Sequence, residues 1–418
     1  METGEVQQMK IILAPKLRFK GFEGNWKTKC VIDLASKLNV GFVGTCEPFY
    51  TSSEEGVLLV RTGNLKGVKI LLDEEKYVTK EFHSKNKKSQ IFPGDLLLAR
   101  HGGNGEICMV PKGFPDANSL NIVILRTNSE LQSDFFQLAY SSFSVQKQIS
   151  SVTAGSTQGV INTKEIAKLE VVYPCLPEQN KIASFISVVD EKIHQLNRKK
   201  ELLESYKKGV MQQLFSGKLR FKDENGKAFP KWEEKLLGDI AEKISTKNRS
   251  NKANFVLTNS ATQGIVSQDE YFDREIANQN NLEGYYIVSV NDFVYNPRIS
   301  VNAPVGPIKR NKLKEGVMSP LYLIFKFYEN NLEYFEFLFE TKLWHTYLES
   351  VSNIGARHDR MNIANSDFFK MPIPLPCSEE RNKITNFLTE LTKKITVTKN
   401  ELDQTQTFKK GLLQQMFV

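Results

Sequence analysis

The chain contains few of the residues from which proteins build metal sites and disulfide frameworks. Its 418 residues include five cysteines and five histidines. The number of cysteines is odd and no Cys-x-x-Cys pair occurs, so neither a structural zinc site nor a disulfide framework is expected. The histidines show no metal-ligand spacing; they are His83, His101, His194, His345 and His358. We therefore expect a protein that binds no metal.

Recognisable catalytic motifs are also absent. The sequence has no G-x-x-x-x-G-K-[ST] loop for nucleotide phosphates, no H-E-x-x-H metal motif and no G-x-S-x-G nucleophile elbow. A methyltransferase that acts on base amines would need an Asn- or Asp-Pro-Pro-aromatic loop. Asn296-Pro297-Arg298-Ile299 comes nearest to it, but this segment lacks the second proline and the aromatic residue. We predict that the chain catalyses no reaction alone and binds no cofactor of its own.

Long hydrophobic runs and one-sided charge are lacking as well. No run approaches the roughly 18 apolar residues of a membrane span, and the first ten residues do not have the pattern of a signal peptide. We expect a cytoplasmic protein without a membrane partner. Lys and Arg number 56 against 48 for Asp and Glu, giving a formal net charge of +8. This excess permits a polyanionic partner but does not establish one.

The most informative feature that is present is an internal repeat with an offset of 202 residues. Residues 174–215 align without a gap on residues 376–417, and 15 of the 42 positions are identical. The same offset relates the segment KLRFK at 16–20 to KLRFK at 218–222. One offset therefore holds near the beginning and at the end of each copy. This pattern predicts a tandem duplication of a unit of about 200 residues.

Each copy ends in a segment with the apolar a/d stripe of a coiled-coil helix. A stripe of this kind needs a partner, and two stripes of equal length favour pairing with each other over two helices that each lie on their own domain. The predicted seam positions are Ile182, Ile186, Val189, Ile193, Leu196 and Leu203 in the first copy, and Ile384, Leu388, Leu391, Ile395 and Phe408 in the second.

The segments before these helices are rich in candidate strands, including 56–60, 95–99, 121–125, 169–172, 292–295 and 321–325. The predicted fold is α+β, with two strand-rich mixed α/β domains joined by two long helices. The predicted division is a first domain at 1–173, a central helix at 174–216, a second domain at 217–375 and a terminal helix at 376–418. Between the framework segments the two copies diverge strongly, which indicates that the two domains have different targets.

Several loops have the composition of nucleic-acid contacts, since Arg pairs with guanine, Asn or Gln pairs with adenine, and Lys neutralises phosphate. An ordinary solvated turn is the alternative for each of them. The candidates in the first copy are Arg61, Asn64, Lys85, Lys87, Lys88, Arg100, His101, Asn104, Ser156, Thr157 and Gln158. Those in the second copy are Asn296, Arg298, Ser300, Asn302, Arg357, His358 and Arg360.

Taken together, these residues resemble the specificity subunits of type I restriction-modification systems. The most specific part is the repeated Pro-x-x-x-Glu-x-x-Lys-Ile entry into a long helix, followed by Lys-Lys-Gly-Val/Leu-x-Gln-Gln-Leu/Met-Phe. Gly-Ser-Thr-Gln at 155–158 and Gly-Asp-Leu-Leu at 94–97 add to the likeness. The second copy departs from the pattern at these two places, with Gly-Ala-Arg-His and Asn-Asp-Phe-Val.

The resemblance implies two target-recognition domains that read the two halves of a split, asymmetric sequence in double-stranded DNA. The two helices would form an antiparallel coiled coil, giving the tandem duplication a pseudo-twofold arrangement. Such subunits recruit two methyltransferase (modification) subunits and, through the complex, the restriction and motor subunits that defend the host against foreign DNA. S-adenosylmethionine, ATP and Mg²⁺ would then act on the partner subunits alone.

Two other functions stay open from the residues alone. One is a coiled-coil adaptor whose domains bind proteins and have no DNA specificity. The other is a self-contained enzyme, against which the missing motifs argue.

Overall fold

The computed structural model describes residues 13–99, 107–153, 162–251, 253–271, 282–352 and 359–418. The chain forms two compact units. Unit 1 comprises Met1–Asn197 with Asn400–Val418, and unit 2 comprises Arg198–Lys399. Each long helix therefore contributes one half to each unit. The four-segment division predicted from the sequence stays a prediction.

Unit 1 alternates short strands with short helices before the first long helix. Its strands are β1 (Lys27–Cys30), β2 (Ala35–Val40), β3 (Tyr50–Thr51), β4 (Gly56–Arg61), β5 (Leu65–Lys66), β6 (Lys69–Ile70), β7 (Tyr77–Thr79), β8 (Gln90–Ile91), β9 (Leu96–Ala99), β10 (Ile107–Met109), β11 (Ala117–Leu120), β12 (Ile122–Thr127) and β13 (Glu170–Tyr173). Its helices are α1 (Lys80–Lys85), α2 (Ser133–Tyr140), α3 (Phe143–Thr153), α4 (Thr163–Lys168) and α5 (Leu176–Phe215), which continues into unit 2.

Among the described residues, unit 2 has fewer strands than unit 1 but follows the same plan. Its strands are β14 (Glu233–Leu236), β15 (Ala241–Ile244), β16 (Leu257–Ser260), β17 (Gly264–Ser267), β18 (Tyr286–Val288), β19 (Phe293–Tyr295), β20 (Ile308–Arg310), β21 (Gly316–Met318), β22 (Leu323–Phe327) and β23 (Pro372–Leu375). Its helices are α6 (Leu237–Ile240), α7 (Gln268–Tyr271), α8 (Leu332–Phe339), α9 (His345–Val351), α10 (Asn365–Phe368) and α11 (Ser378–Met416), which continues into unit 1.

The central sheet has the same strand order in both units. Unit 1 has a four-stranded sheet in the order β10-β9-β12-β2, and unit 2 has one in the order β20-β19-β22-β15. All neighbouring strands in both sheets are antiparallel. A two-stranded ribbon, β1-β13 or β14-β23, brings the start of each domain beside the segment that enters a long helix. The duplicated sequence thus produces a duplicated topology.

Unit 1 has an additional five-stranded sheet in the order β3-β7-β4-β11-β8, in which β4 and β11 are parallel. Unit 2 has two separate two-stranded antiparallel sheets instead, the hairpin β16-β17 and the pair β18-β21. The two units therefore share a framework and differ in what is inserted into it. The strong sequence divergence of the middle of each copy predicts this difference.

Each unit is held by an apolar core that the central sheet shares with the long helices. In unit 1, β9 has the sequence LLLA and all four of its residues are buried. The unit 2 core is notably aromatic: Phe327 stacks on Phe335 with ring centroids 3.8 Å apart, and Phe293 meets Phe325 at 5.7 Å. Aromatic side chains bury large apolar areas, so a few of them suffice for a small sheet.

The long helices pair inside each unit. In unit 1, Ile182 and Ile186 of α5 share a buried cluster with Leu412 and Met416 of α11. In unit 2, Leu214 of α5 shares one with residues of α11 that include Ile384 and Leu388. The first half of α5 thus meets the second half of α11, and the second half of α5 meets the first half of α11. The two helices are antiparallel, and the predicted coiled coil is confirmed.

The seam follows unbroken 4-3 spacing in both helices. The α5 positions are 182, 186, 189, 193, 196, 200, 203, 207, 210 and 214, and the α11 positions are 384, 388, 391, 395, 398, 402, 405, 409, 412 and 416. Every one of these residues is buried or half-buried. A strict heptad over this length keeps one face of each helix turned toward its partner.

The prediction that Phe408 lies in the seam is wrong. Its side chain is 54% exposed, and the side chain of Tyr206, the equivalent residue of α5, is 53% exposed. The heptad places Lys409 at the seam instead, and its Nζ donates to Asp190 Oδ1 at 2.6 Å. Lys207 at the equivalent position lies 5.0 Å over the ring of Phe337. A lysine can bury its methylene stem and still reach a polar partner, so heptad continuity outweighs the apolar character of the neighbouring aromatic residue.

The same ion pair joins the KLRFK segment to the long helix in each unit. Arg18 Nε donates to Glu178 Oε1 at 2.7 Å, and Arg220 Nε donates to Glu380 Oε1 at 3.0 Å. Both carboxylates are almost fully buried, with side-chain exposures of 1% and 0%. The hydrogen bond to Glu380 raises the pKa of the Arg220 guanidinium above its ordinary value. These arginines are the central residues of the two KLRFK segments.

None of the helices in the described ranges combines the length and the apolar character that a membrane span requires. Nor do the described residues contain a group of three or more His, Cys, Asp or Glu side chains that could hold a metal ion.

Replacement of Arg220 by Met should destabilise unit 2 by about 3–5 kcal/mol, because the Glu380 carboxylate would stay buried without its counter-charge. We expect the urea midpoint of unfolding, followed by circular dichroism, to fall clearly. The double variant Arg220→Met/Glu380→Gln should recover much of the loss. As a control, Lys85→Met removes an ion pair whose two side chains are each 72% exposed, and should cost at most about 1 kcal/mol. An unchanged midpoint for Arg220→Met would refute this role.

Candidate nucleic-acid interface

The loop between β19 and β20 in unit 2, residues 296–307, lines a cleft of about 560 Å³. Four of the residues predicted from the sequence line this cleft: Asn296, Arg298, Ser300 and Arg360. The cleft is also lined by three tyrosines, Tyr271, Tyr285 and Tyr322. Guanidinium groups, hydroxyls and aromatic rings together suit contact with phosphates, base edges and base faces.

A buried aspartate fixes the turn that leads into the strand before this loop. Asp292 Oδ2 accepts the Ser289 N–H at 2.7 Å, and Asn291 beside it has φ of 78°. Unit 1 has the same turn before β9, where Asp95 accepts the Phe92 N–H at 2.9 Å and Gly94 has φ of 89°. Gly and Asn are the residues that adopt this left-handed conformation most readily. Gly-Asp and Asn-Asp are therefore equivalent solutions to one backbone requirement.

The pKa of the Asp292 carboxyl is raised above its usual range, mainly because burial disfavours the charged form. The Ser289 N–H and the nearby Lys326 act in the opposite direction. In unit 1 the equivalent Asp95 is paired directly with Arg126, whose Nε lies 2.6 Å from Asp95 Oδ1. The two units thus keep the turn and satisfy its carboxylate by different means.

The backbone joins two candidate segments that are about sixty residues apart in the sequence. Arg298 and Arg360 form an antiparallel bridge. The Ile299 N–H donates to Asp359 O at 3.0 Å, and the Met361 N–H donates to Pro297 O at 2.9 Å. The sequence predicts the two segments separately, and the structure places Arg298 and Arg360 side by side at the rim of the cleft.

The cleft is electropositive. Among its described lining residues, Arg298 and Arg360 are the only charged ones. Arg298 is exposed, and its guanidinium has no acidic partner among the described residues. Arg360 Nε lies 3.5 Å from Asp359 Oδ2, so its charge is partly neutralised. Arg298 is therefore the side chain best placed to meet an incoming anion or a guanine edge.

Asn296 holds the loop rather than projecting from it. Its Nδ2 donates to Asn259 O at 3.0 Å, and its Oδ1 accepts the Arg298 N–H at 3.0 Å. Ser300 Oγ similarly accepts the Ala303 N–H at 3.2 Å. Asn302, by contrast, is exposed at the tip of the loop. Of these polar candidates, Asn302 is the one whose amide faces solvent.

Sequence reasoning missed the residues that form the floor of the cleft. Asn259 is 3% exposed, and its Nδ2 donates to Val294 O at 2.7 Å and to Pro307 O at 3.2 Å. It thereby fastens β16 to β19 and to the end of the loop. Tyr322 closes the other side through its hydroxyl, 3.0 Å from Thr258 Oγ1. No local sequence signal marks these residues, because their role arises from strands that are distant in the chain.

In unit 1, Arg61 is the last residue of β4 and Asn64 lies in the turn that follows it. Asn64 is 6% exposed; its Oδ1 accepts the Arg61 N–H at 2.9 Å and its Nδ2 donates to Leu71 O at 2.9 Å. Arg61 Nη2 donates to Glu74 O at 2.7 Å and is partly accessible. Asn64 therefore has the geometry of a turn-stabilising residue, whereas Arg61 keeps access to solvent.

Lys85, Lys87 and Lys88 are exposed at and just beyond the end of α1. Lys85 Nζ pairs with Glu81 at 2.5 Å, and Lys87 and Lys88 have no acidic partner among the described residues. His83 on the same helix is tied to the core, with its Nδ1 2.7 Å from Asn118 Oδ1. These lysines form an anchored basic edge on unit 1. The remaining predicted contacts lie outside the described residues: Arg100, His101, Asn104, Ser156, Thr157, Gln158, Arg357 and His358.

Comparison with known proteins gives a consistent result over most of the chain. The family model described as "Type I restriction modification DNA specificity domain" matches residues 26–205 and again residues 230–406. The MjaVIII type I restriction enzyme specificity subunit of Methanocaldococcus jannaschii is 25% identical over 352 residues, which cover 78% of this chain and 79% of that protein.

Solved structures agree at the level of the fold. The S subunit of a type I restriction-modification system from M. genitalium aligns with a TM-score of 0.56 and 16% identity, covering 97% of this chain and 99% of that one. A second solved chain comes from a study of the structural basis of complex assembly and conformational transition of the type I R-M system. It aligns with a TM-score of 0.54 and 14% identity. That alignment covers 94% of this chain and 96% of the other.

The family model matches the chain twice, once in each copy of the repeat. The sequence repeat and the equivalent sheets show the same duplication independently. The two matched segments together span well over half of the chain. The chain therefore belongs to the family of type I restriction-modification DNA specificity subunits, with one specificity domain in each of its two copies.

Proposed function

We propose that this protein recognises a two-part, asymmetric DNA sequence and recruits the modification and restriction subunits of a type I system to it. The observation that carries the proposal is the combination of one repeated framework with two different sets of loops. The same four-stranded order and the same aspartate turn lead into β9 and β19. The amino-acid sequences that follow these two strands differ, so the two copies read different half-sites and the target is not a palindrome.

In unit 2 the half-site is read at the rim of the arginine-lined cleft. Arg298 projects from a loop whose backbone is bonded to residues 359 and 361 and whose Asn296 side chain donates to Asn259 O. Such a loop loses little conformational freedom when DNA binds, and this favours specific contacts. A guanidinium in the major groove pairs best with O6 and N7 of guanine. We infer that the second half-site contains a guanine contacted by Arg298.

In unit 1 the lysines beyond α1 contact phosphates rather than bases. Lys87 and Lys88 are exposed and follow a helix whose His83 is bonded to the core. Phosphate contacts of this kind fix the register of a protein on DNA and depend on salt. The formal net charge of +8 is small for a chain of 418 residues, so we expect partner subunits to contribute to the affinity for DNA.

Two equivalent aromatic residues are suited to recruiting two copies of one partner. Tyr206 and Phe408 are related by the 202-residue offset and are 53% and 54% exposed on the surfaces of their helices. Each precedes an identical Lys-Lys-Gly segment. A methyltransferase subunit that packs on one aromatic residue finds the same surface a second time. Exposed aromatic side chains are frequent anchors of protein interfaces.

The chemistry of the complex belongs to these partners. S-adenosylmethionine supplies the methyl group on the methyltransferase subunits, and ATP with Mg²⁺ drives the restriction and motor subunits. The complex acts in the cytoplasm, where the host DNA is protected and foreign DNA is cut. This chain contributes the choice of sequence.

Mapping methylated adenines in a host with and without this gene tests the proposal. We expect a two-part sequence separated by unread bases, present only with the gene. Arg298→Ala should weaken recognition at one position of one half-site by roughly 5- to 150-fold, the range for loss of a bidentate base contact. The other half should be read as before.

Arg249→Ala is the matched control, because Arg249 is an exposed arginine of the same unit that does not line the cleft. It should leave the methylated sequence unchanged. A continuous or palindromic target, or equal effects of Arg298→Ala and Arg249→Ala, would contradict the proposed mode of reading.

The double variant Tyr206→Ser/Phe408→Ser should lose both methyltransferase subunits, with affinity lowered about tenfold or more per site, while each single variant should retain one. Native mass spectrometry of the purified complex measures the stoichiometry. Because both side chains are exposed, circular dichroism should be unchanged. Tyr328→Ser removes another aromatic residue, 61% exposed, outside the long helices and should keep both partners. A double variant with two bound partners would disprove this docking surface.

A further inference from the structure

A single apolar side chain stands at the tip of the loop that lines the unit 2 cleft. Ser300 and Ala303 donate their N–H groups to each other's carbonyl oxygens at 3.0 Å, which closes a tight turn with Val301 and Asn302 at its end. Val301 has a relative exposure of 101% and so touches almost nothing in the protein. Its neighbours in sequence are polar, and nothing in the local packing requires an apolar residue there.

The turn is held firmly in place. The Gly306 N–H donates to Ala303 O at 3.0 Å, and Asn296 N–H donates to Pro307 O at 3.0 Å. Gly306 has φ of 81°, and a Cβ at this residue would lie 2.0 Å from Asn296 O. The two sides of the loop are therefore in close contact and admit only glycine at this point. Val301 is presented at a defined position rather than on a flexible segment.

The groups beside Val301 indicate the class of partner that the tip of the loop contacts. Arg298 and Ser300 line the electropositive cleft, and Asn302 adjoins Val301 with an exposed amide. A polyanion is the partner that complements this charge. Within the major groove of DNA, the 5-methyl group of thymine is the one apolar feature on a base edge, and small apolar side chains contact it. A protein partner would need a wider apolar patch than one valine provides.

We propose that Val301 reads a thymine methyl group in the half-site recognised by unit 2, which makes it a specificity-determining residue. The proposal rests on the proposed function and names a contact within it. Arg298 reads a guanine, and Val301 selects thymine over cytosine at a neighbouring base pair by apolar contact. The contact needs no hydrogen-bonding group on the protein.

The experiment removes the thymine methyl group from the DNA and, separately, the apolar side chain of Val301 from the protein. Duplexes carry the target found by methylation mapping, with each thymine of the unit 2 half-site, on either strand, replaced in turn by deoxyuridine. Binding of the complete complex with its methyltransferase subunits is measured for the wild-type chain and for Val301→Ser. We expect one position at which deoxyuridine weakens wild-type binding about fourfold, the effect of one buried methyl group.

At that position Val301→Ser should bind thymine and deoxyuridine duplexes equally, because the apolar partner is gone. Deoxyuridine in the other half-site serves as the control and should not distinguish the two chains. The side chain of Val301 is fully exposed, so the variant should fold normally, which circular dichroism checks.

Three results would overturn the inference while the proposed function stands: no thymine in the half-site, no effect of deoxyuridine at any position, or the same effect in Val301→Ser. If the wild-type complex fails to retain the mapped duplex over an unrelated one, the proposed function fails and the inference falls with it. The unmodified duplex therefore separates the two failures.

Discussion

The apolar seam of the two long helices is the constraint on which the rest of the structure depends. Neither helix can leave such a stripe in water, and in each unit the stripe of one helix is buried against the other and against the central sheet. Both units are thus incomplete without a half-helix from the other copy. The pairs Arg18–Glu178 and Arg220–Glu380, in which the carboxylates are buried, then fix the two KLRFK segments to the same helices. Symmetry of the framework follows from this exchange, because each helix must serve both cores.

A framework that is fixed in this way leaves the loops free to differ. The turn before the central strand shows the limit of that freedom: Gly94-Asp95 and Asn291-Asp292 are different sequences that satisfy one backbone conformation and one carboxylate cap. Beyond that turn the copies have little in common. A rigid scaffold with variable loops is the general solution for recognition proteins, because contacts can change without loss of the core. Two unlike sets of loops on one scaffold are suited to an asymmetric target.

Much of the fold could be predicted because its signals are local and repeated. The offset of 202 residues and the a/d stripes directly predict the duplication and the coiled coil. The prediction of the seam is wrong at Phe408, because apolar character favours Phe408 whereas the heptad requires Lys409. Periodicity was the better guide there, since a lysine can bury its stem.

The candidate site was less accessible to sequence reasoning. The composition of the loops suggested Arg298 and Arg360 separately, but only the fold brings them to one bridge. Asn64 has a side chain that could contact a base, but both ends of its amide form hydrogen bonds with the backbone around its own turn. No sequence signal marks Val301, because valine carries no hydrogen-bonding group and its exposure at the loop tip is a property of the fold. Exposure and bonding partners decide which polar residue is free, and both are properties of the three-dimensional structure.

The central claim is that the two copies read DNA independently on a common framework. It is tested most directly by exchanging residues 14–155 for the corresponding segment of another specificity subunit and sequencing the methylated sites in the host. The account predicts that one half of the methylated sequence changes and the other half is retained. A change in both halves, or in neither, would contradict it.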